Sequence, residues 1–101
     1  MSSQPGLLAK FRLGHIVATP NALSRLTNED ILMAISRHQA GDWGEVCEAN
    51  RQENELSLKQ GFRLLSVYHS ANGTKFRVIT EADRSTTTVL LPEDYCPARA
   101  S

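Results

Sequence analysis

Asn72-Gly73 lies between two β-prone runs, Phe62-Arg63-Leu64-Leu65-Ser66-Val67-Tyr68-His69 and Lys75-Phe76-Arg77-Val78-Ile79-Thr80-Glu81. Both residues of the pair accept the positive φ of a type I′ turn, so the pattern predicts a hairpin with a two-residue loop. Counting outward from Ala71 opposite Thr74 pairs His69 with Phe76, Val67 with Val78 and Leu65 with Thr80. Opposite partners point the same way, so these six share a face, and we assign it to the core. The other face then takes Leu64, Ser66, Tyr68, Lys75, Arg77, Ile79 and Glu81, a mixture suited to a surface partly covered by a helix or a partner. A third run, Thr86-Thr87-Thr88-Val89-Leu90-Leu91, adds Thr87, Val89 and Leu91 to the core in preference to Thr88 and Leu90. Pro92 ends it, since proline cannot donate to a ladder.

The first half reads as a short strand and helices. His15 to Ala18 is the strand, with its place in the sheet open. Thr19-Pro20 marks a helix entrance, and Asn21 to Leu26 makes one or two turns with Leu23 and Leu26 inward. Thr27 with Asp30 three positions on resembles a capping box, after which Ile31, Leu32, Ile35 and His38 form one helical face ended by Gly41. His38 in the last turn suits a cation favoured by the helix dipole. A polar helix then runs from Cys47 or Glu48 to Gln60, with Val46, Ala49 and Leu56 as its thin apolar stripe. The expected fold class is α+β: a small, mostly antiparallel sheet of three to four strands, with two or three helices packed on one face. Residues 11–95 form the single domain, and 1–10 and 96–101 are flexible tails, with Tyr95 pinning the second tail to the body.

Lys plus Arg and Asp plus Glu are 11 each, so the chain is neutral and lacks the basic surface of a general nucleic-acid binder. No apolar stretch approaches the ~20 residues that span a bilayer, and residues 1–10 lack a secretory pattern, which points to the cytoplasm. Cys47 and Cys96 read as reduced thiols, although a disulfide between them stays open. No cofactor or metal motif is present.

Four groups of residues carry a family resemblance: Gly41-Asp42-Trp43-Gly44-Glu45, Gly61-Phe62-Arg63-Leu64-Leu65-Ser66-Val67-Tyr68, Asn72-Gly73-Thr74-Lys75, and above all Ile79-Thr80-Glu81-Ala82-Asp83-Arg84-Ser85-Thr86-Thr87-Thr88-Val89-Leu90-Leu91-Pro92-Glu93-Asp94-Tyr95. On these the chain, from about Leu13 to Tyr95, resembles a widespread family of short bacterial hypothetical or plasmid-related proteins carried by plasmids, integrative elements and proteobacterial chromosomes. The resemblance implies a mobile-element context and supplies no activity.

The candidate binding residues are Trp43, Tyr68, Glu81, Asp83, Arg84 and Ser85. Thr80 to Ser85 gathers two carboxylates, a guanidinium and hydroxyls in a tight connection. There Arg84 either clamps a carboxylate or phosphate or pairs with Glu81 or Glu93 across a turn. Trp43 between glycines either stands as a stacking platform or covers one end of the core. Three functions compete. The favoured one is a protein-interaction module using the partly covered sheet face and the Trp43 loop, with a protein partner and room for a homodimer through an exposed sheet edge. The second is a small ribonuclease that resembles the RelE-like interferases, drawing on Arg63, Tyr68, His69, Lys75 and Arg77. The third is a DNA-binding regulator using the Asn28 to Gln39 helix with Arg37 and His38. The residues do not decide between enzyme and binding protein.

Overall fold

The computed structural model describes residues 9–95. Strand β1 (His15–Ala18) is followed by α1 (Pro20–Arg25), α2 (Asn28–Gln39) and α3 (Glu48–Gln60), then β2 (Leu64–His69), β3 (Lys75–Thr80) and β4 (Thr86–Leu90), with a 3-10 turn at Pro92–Tyr95. The sheet order is β1-β4-β3-β2. β2, β3 and β4 form an antiparallel meander, and β1 joins β4 in parallel, so this α+β fold is built on a mixed sheet. The tails 1–8 and 96–101, a Cys47–Cys96 disulfide and the pinning role of Tyr95 lie outside the described residues.

The helices start where the sequence supplies caps. Thr19 Oγ1 accepts from Ala22 N at 3.1 Å at the head of α1, and Thr27 and Asp30 complete a reciprocal capping box on α2. Ala22 and Leu26 of α1 and Ala34 and Ile35 of α2 pack on Tyr68, Phe76, Val78, Val89 and Leu91. Fully burying side chains such as Leu64, Phe76, Val78 and Val89 contributes roughly 1.5–3 kcal/mol each. Leu23, Leu32 and Leu56, expected inward, are exposed. On α1 and α2 the contact face is rotated onto small residues, Ala22 and Ala34, which let the helices approach the sheet closely. On α3 the buried positions are polar, Asn54 and Ser57.

The hairpin forms, but its register differs from expectation by one residue. Leu64 pairs with Thr80, Ser66 with Val78, and Tyr68 with Phe76. Its loop is three residues long: Ser70 N donates to Thr74 O at 2.9 Å, closing Ala71-Asn72-Gly73. Only Gly73 takes positive φ, +88°, as in a type I turn followed by a bulge residue. Asn72 Oδ1 reinforces it, accepting from Thr74 N at 3.1 Å and from the Ser70 hydroxyl. Leu64, Ser66 and Tyr68 therefore face the helices, while Leu65, Val67 and His69 take the opposite face. Phe76, Val78, Thr80, Thr87, Val89 and Leu91 lie inward as expected. Alternation failed on β2 because both of its faces are covered: Leu64 and Val67 are each buried, so burial did not select between the two phases.

The two edges of the sheet differ. On β2, Leu65 N donates to Asn54 Oδ1 at 3.1 Å, and Asn54 Nδ2 donates to Leu65 O at 2.7 Å. Val67 N donates to Trp43 O at 3.1 Å and Glu45 N to Val67 O at 2.7 Å, forming an isolated parallel bridge at Gly44. A side-chain amide and a stretch of loop thus seal that edge. On β1, His15 N and Thr19 N donate inward to Ser85 O and Val89 O, so by alternation Ile16 and Ala18 turn their main-chain groups outward.

Candidate functional site

The connection from β3 to β4 places Asp83, Arg84 and Ser85 at one end of the sheet. Glu81 N donates to Thr86 O and Arg84 N to Glu81 O, which closes the turn, and Asp83 Oδ1 accepts from Ser85 N at 3.0 Å. These bonds to Ser85 hold the Asp83 carboxyl below its ordinary pKa. Arg84 occupies the left-handed region, φ +62°, and is the one non-glycine residue to do so among those described. Its guanidinium donates to four main-chain carbonyls: Phe62 O at 2.7 Å, Ser57 O at 3.0 Å, and Glu81 O and Ala82 O at 3.1 Å each. The pairing expected with Glu81 or Glu93 does not form. Glu81 lies 3.8 Å from Arg63, and Glu93 lies 3.9 Å from Arg25. Arg84 is therefore a brace between the turn and the C-terminal end of α3, and desolvation lowers its pKa. Arg84→Lys keeps the charge but loses the planar fork, and is expected to cost about 2 kcal/mol in urea denaturation, with faster amide exchange at Gly61 and Phe62.

Behind the brace, Arg84 lies 5.7 Å from the Phe11 ring centroid. Phe11 stacks on Trp43 at 6.3 Å and meets the edge of His38 at 5.1 Å. Trp43 is buried, and its indole N–H donates to Glu55 at 2.9 Å, so it covers the core and offers no platform. His38 is fully buried rather than a cation at a helix end. Desolvation, aided by the positive charge of Arg84, lowers its pKa to about 4. Its Nδ1 lies 2.6 Å from Ser66 Oγ and its Nε2 2.9 Å from Thr80 Oγ1. Thr80 Oγ1 lies 2.8 Å from Thr87 Oγ1, which donates to Leu13 O at 2.7 Å. Because each hydroxyl has one proton, that last bond sets all the others. Thr80 donates to Thr87, His38 donates from Nε2 to Thr80, and Ser66 donates to Nδ1.

An open cleft of about 510 Å³ beside the turn is lined by Arg12, Gly14, His15, Asp83, Arg84 and Ser85. It brings three of the six candidate residues together and adds Arg12 and His15, which sequence reasoning had not joined to them. Glu81 and Trp43 fall outside this lining, and Tyr68 lies at the far side of the core, its hydroxyl donating to Asp42 O at 2.5 Å. Burial pushes the Tyr68 phenol up to about 12, and Arg37 sits 4.6 Å over its ring. The residues considered for ribonuclease chemistry divide between faces: His69, Lys75 and Arg77 share one, and Tyr68 points to the other. His69 is paired with Glu45 at 2.8 Å. On α2, Arg37 is held by Asp42 and His38 is buried, so neither of that helix's two proposed base-reading groups faces solvent freely. Among the described residues no group of three or more His, Cys, Asp or Glu is placed to hold a metal ion. No described helix is long and apolar enough to cross a membrane.

Comparison of the chain with protein-family models, curated proteins and solved structures returns no match.

The surface that sequence reasoning missed lies next to the cleft. Ile16 and Val17 on β1 are 49% and 46% exposed, and Leu23 on α1 is 58% exposed. The signal was a short β-branched strand with no charge between His15 and Thr19. Its place at the sheet edge depends on a partner 71 positions away, Thr86 opposite His15, which no local pattern encodes. Trp43, Leu64, Tyr68 and Ile79, from the loop and sheet face considered for a partner, are all buried.

Proposed function

We propose that this chain is a small protein-interaction module of mobile-element type, working in the cytoplasm through the open edge of β1. The observation that carries this reading is the contrast between the edges. β2 is sealed by Asn54 and the Trp43 to Glu45 bridge, while β1 leaves the main-chain groups of Ile16 and Ala18 turned outward beside exposed apolar side chains. An edge strand of this kind adds an extended segment of another chain, with main-chain bonds supplying affinity and side chains selecting the partner. The balanced charge of the chain supports a protein partner over nucleic acid.

The test is quantitative affinity capture, with the tagged wild-type chain and tagged Ile16→Pro as baits, from host cells that also express the untagged chain. Proline at 16 removes an outward N–H and no bond within the sheet, so the fold tolerates it. A protein retained by the wild type and lost with Ile16→Pro is the expected outcome. Identical captured sets from both chains would remove the reading.

A further inference from the structure

Resting on the interaction reading above, we propose that the partner at the β1 edge is a second copy of this chain, paired antiparallel about a two-fold axis through Val17. The outward groups of Ile16 and Ala18 are spaced so that each Ile16 meets the Ala18 of the other copy in a bonded pair. The two Val17 residues then face each other in the central non-bonded pair. The same operation places bulky Ile16 against small Ala18 on the helix-bearing face, so the edge is complementary to itself. β1 carries no charged residue from Ile16 to Ala18, and the chain carries no net charge, so no like charges meet within the paired strands.

Leu23 extends this contact. Asn21 and Arg25 of α1 reach Asp94 and Glu93 of the 3-10 turn, which packs toward β3. Leu23 lies on the opposite flank of α1, the flank toward β1, where the two α1 helices approach across the axis. Because β2 is sealed, pairing stops at two copies and gives one continuous sheet, not a filament. A four-residue strand and one helix flank make a small interface, so the dimer dissociates on dilution.

Sedimentation equilibrium of the purified chain from micromolar to millimolar concentration should show a monomer–dimer equilibrium. Ile16→Pro should weaken it roughly tenfold or more. Val17→Lys places like charges opposite each other on the axis and should do the same, with circular dichroism and melting confirming that both variants fold. In a Cys47→Ser, Cys96→Ser background, Val17→Cys should oxidise to a symmetric cross-linked dimer, since the central pair brings Cα atoms to about 4.5 Å. Leu56→Cys, exposed on α3, should not. A chain that stays monomeric at millimolar concentration overturns the proposal, as does a dimer that persists in Val17→Lys or leaves Val17→Cys uncross-linked. If the chain is monomeric while affinity capture still distinguishes wild type from Ile16→Pro, the second copy falls and the interaction reading stands. If capture is also unchanged, both fall.

Discussion

A His38→Ala variant is expected to lose about 4 kcal/mol of stability, a large part of the ~5–15 kcal/mol available to a domain of this size. The loss has two sources. The imidazole leaves a cavity under α2, and Ser66, fully buried, loses the Nδ1 that accepts its hydroxyl proton. Thr80 keeps its bond to Thr87, so the damage concentrates at Ser66. The same residue sets an acid sensitivity. His38 titrates at 6.5 when unfolded and at about 4 when folded, so above 6.5 neither state binds its proton and it adds no slope. As pH falls from 6.5 toward 4 the unfolded chain takes up a proton that the folded chain refuses. Stability therefore drops by roughly 3 kcal/mol across that window. Asp30, Asp42, Asp83, Asp94 and Glu48 have carboxyls held below their ordinary values by hydrogen bonds, so their own losses begin as the pH nears those ordinary values, at the acid end of the window and below it. Urea denaturation at stepped pH should show the fall in the wild type, and in His38→Ala only a shallow one confined to the acid end of the window. Nitrogen NMR should report the Nε2–H tautomer at neutral pH.

Gly44→Ala is expected to be comparably damaging, at about 4 kcal/mol. Gly44 has φ +74°, and a methyl group there would stand 2.0 Å from Val67 O and 2.7 Å from the Tyr68 ring. Neither neighbour can retreat: Val67 O accepts the Glu45 N–H, and Tyr68 is wedged between Phe76 and the Asp42 carbonyl. Relief requires the bridge to leave β2, which exposes the sealed edge and unseats Trp43. Gly73→Ala supplies the contrast. It shares positive φ but has nothing within 4 Å of the added methyl group, so it should cost only about 1 kcal/mol of backbone strain. Thermal melts of the two variants should differ accordingly, and tryptophan fluorescence should shift to the red only in Gly44→Ala.

Much of the architecture follows from local chemistry. Thr27 with Asp30, Thr19 before Pro20 and Gly61 after Gln60 set helix ends, and alternation along β3 and β4 set which residues face inward. The phase of β2 was not legible, because a strand covered on both sides has no polar face to betray its orientation. His38 read as a helix-end cation because its hydroxyl partners Ser66 and Thr80, and through Thr80 the Thr87 hydroxyl and the Leu13 carbonyl, come together only after folding. Arg84 read as an anion clamp or the partner of Glu81 or Glu93, yet its partners are carbonyls, which leave no trace in side-chain identity. The candidate site was half legible for the same reason. Asp83 to Ser85 are contiguous, whereas Arg12 and His15 join them through the parallel pairing of β1 with β4.

That parallel pairing also orders events during synthesis. His15 to Ala18 emerge from the ribosome early, but among the described residues their neighbour in the sheet is Thr86 to Val89, so β1 must wait while some seventy further residues are made. A ribosome stalled anywhere before Leu90 therefore holds a chain in which the meander is incomplete and the first strand has nowhere to dock. Such a nascent chain depends on helices, and on the cell's chaperones, until translation has passed the last strand.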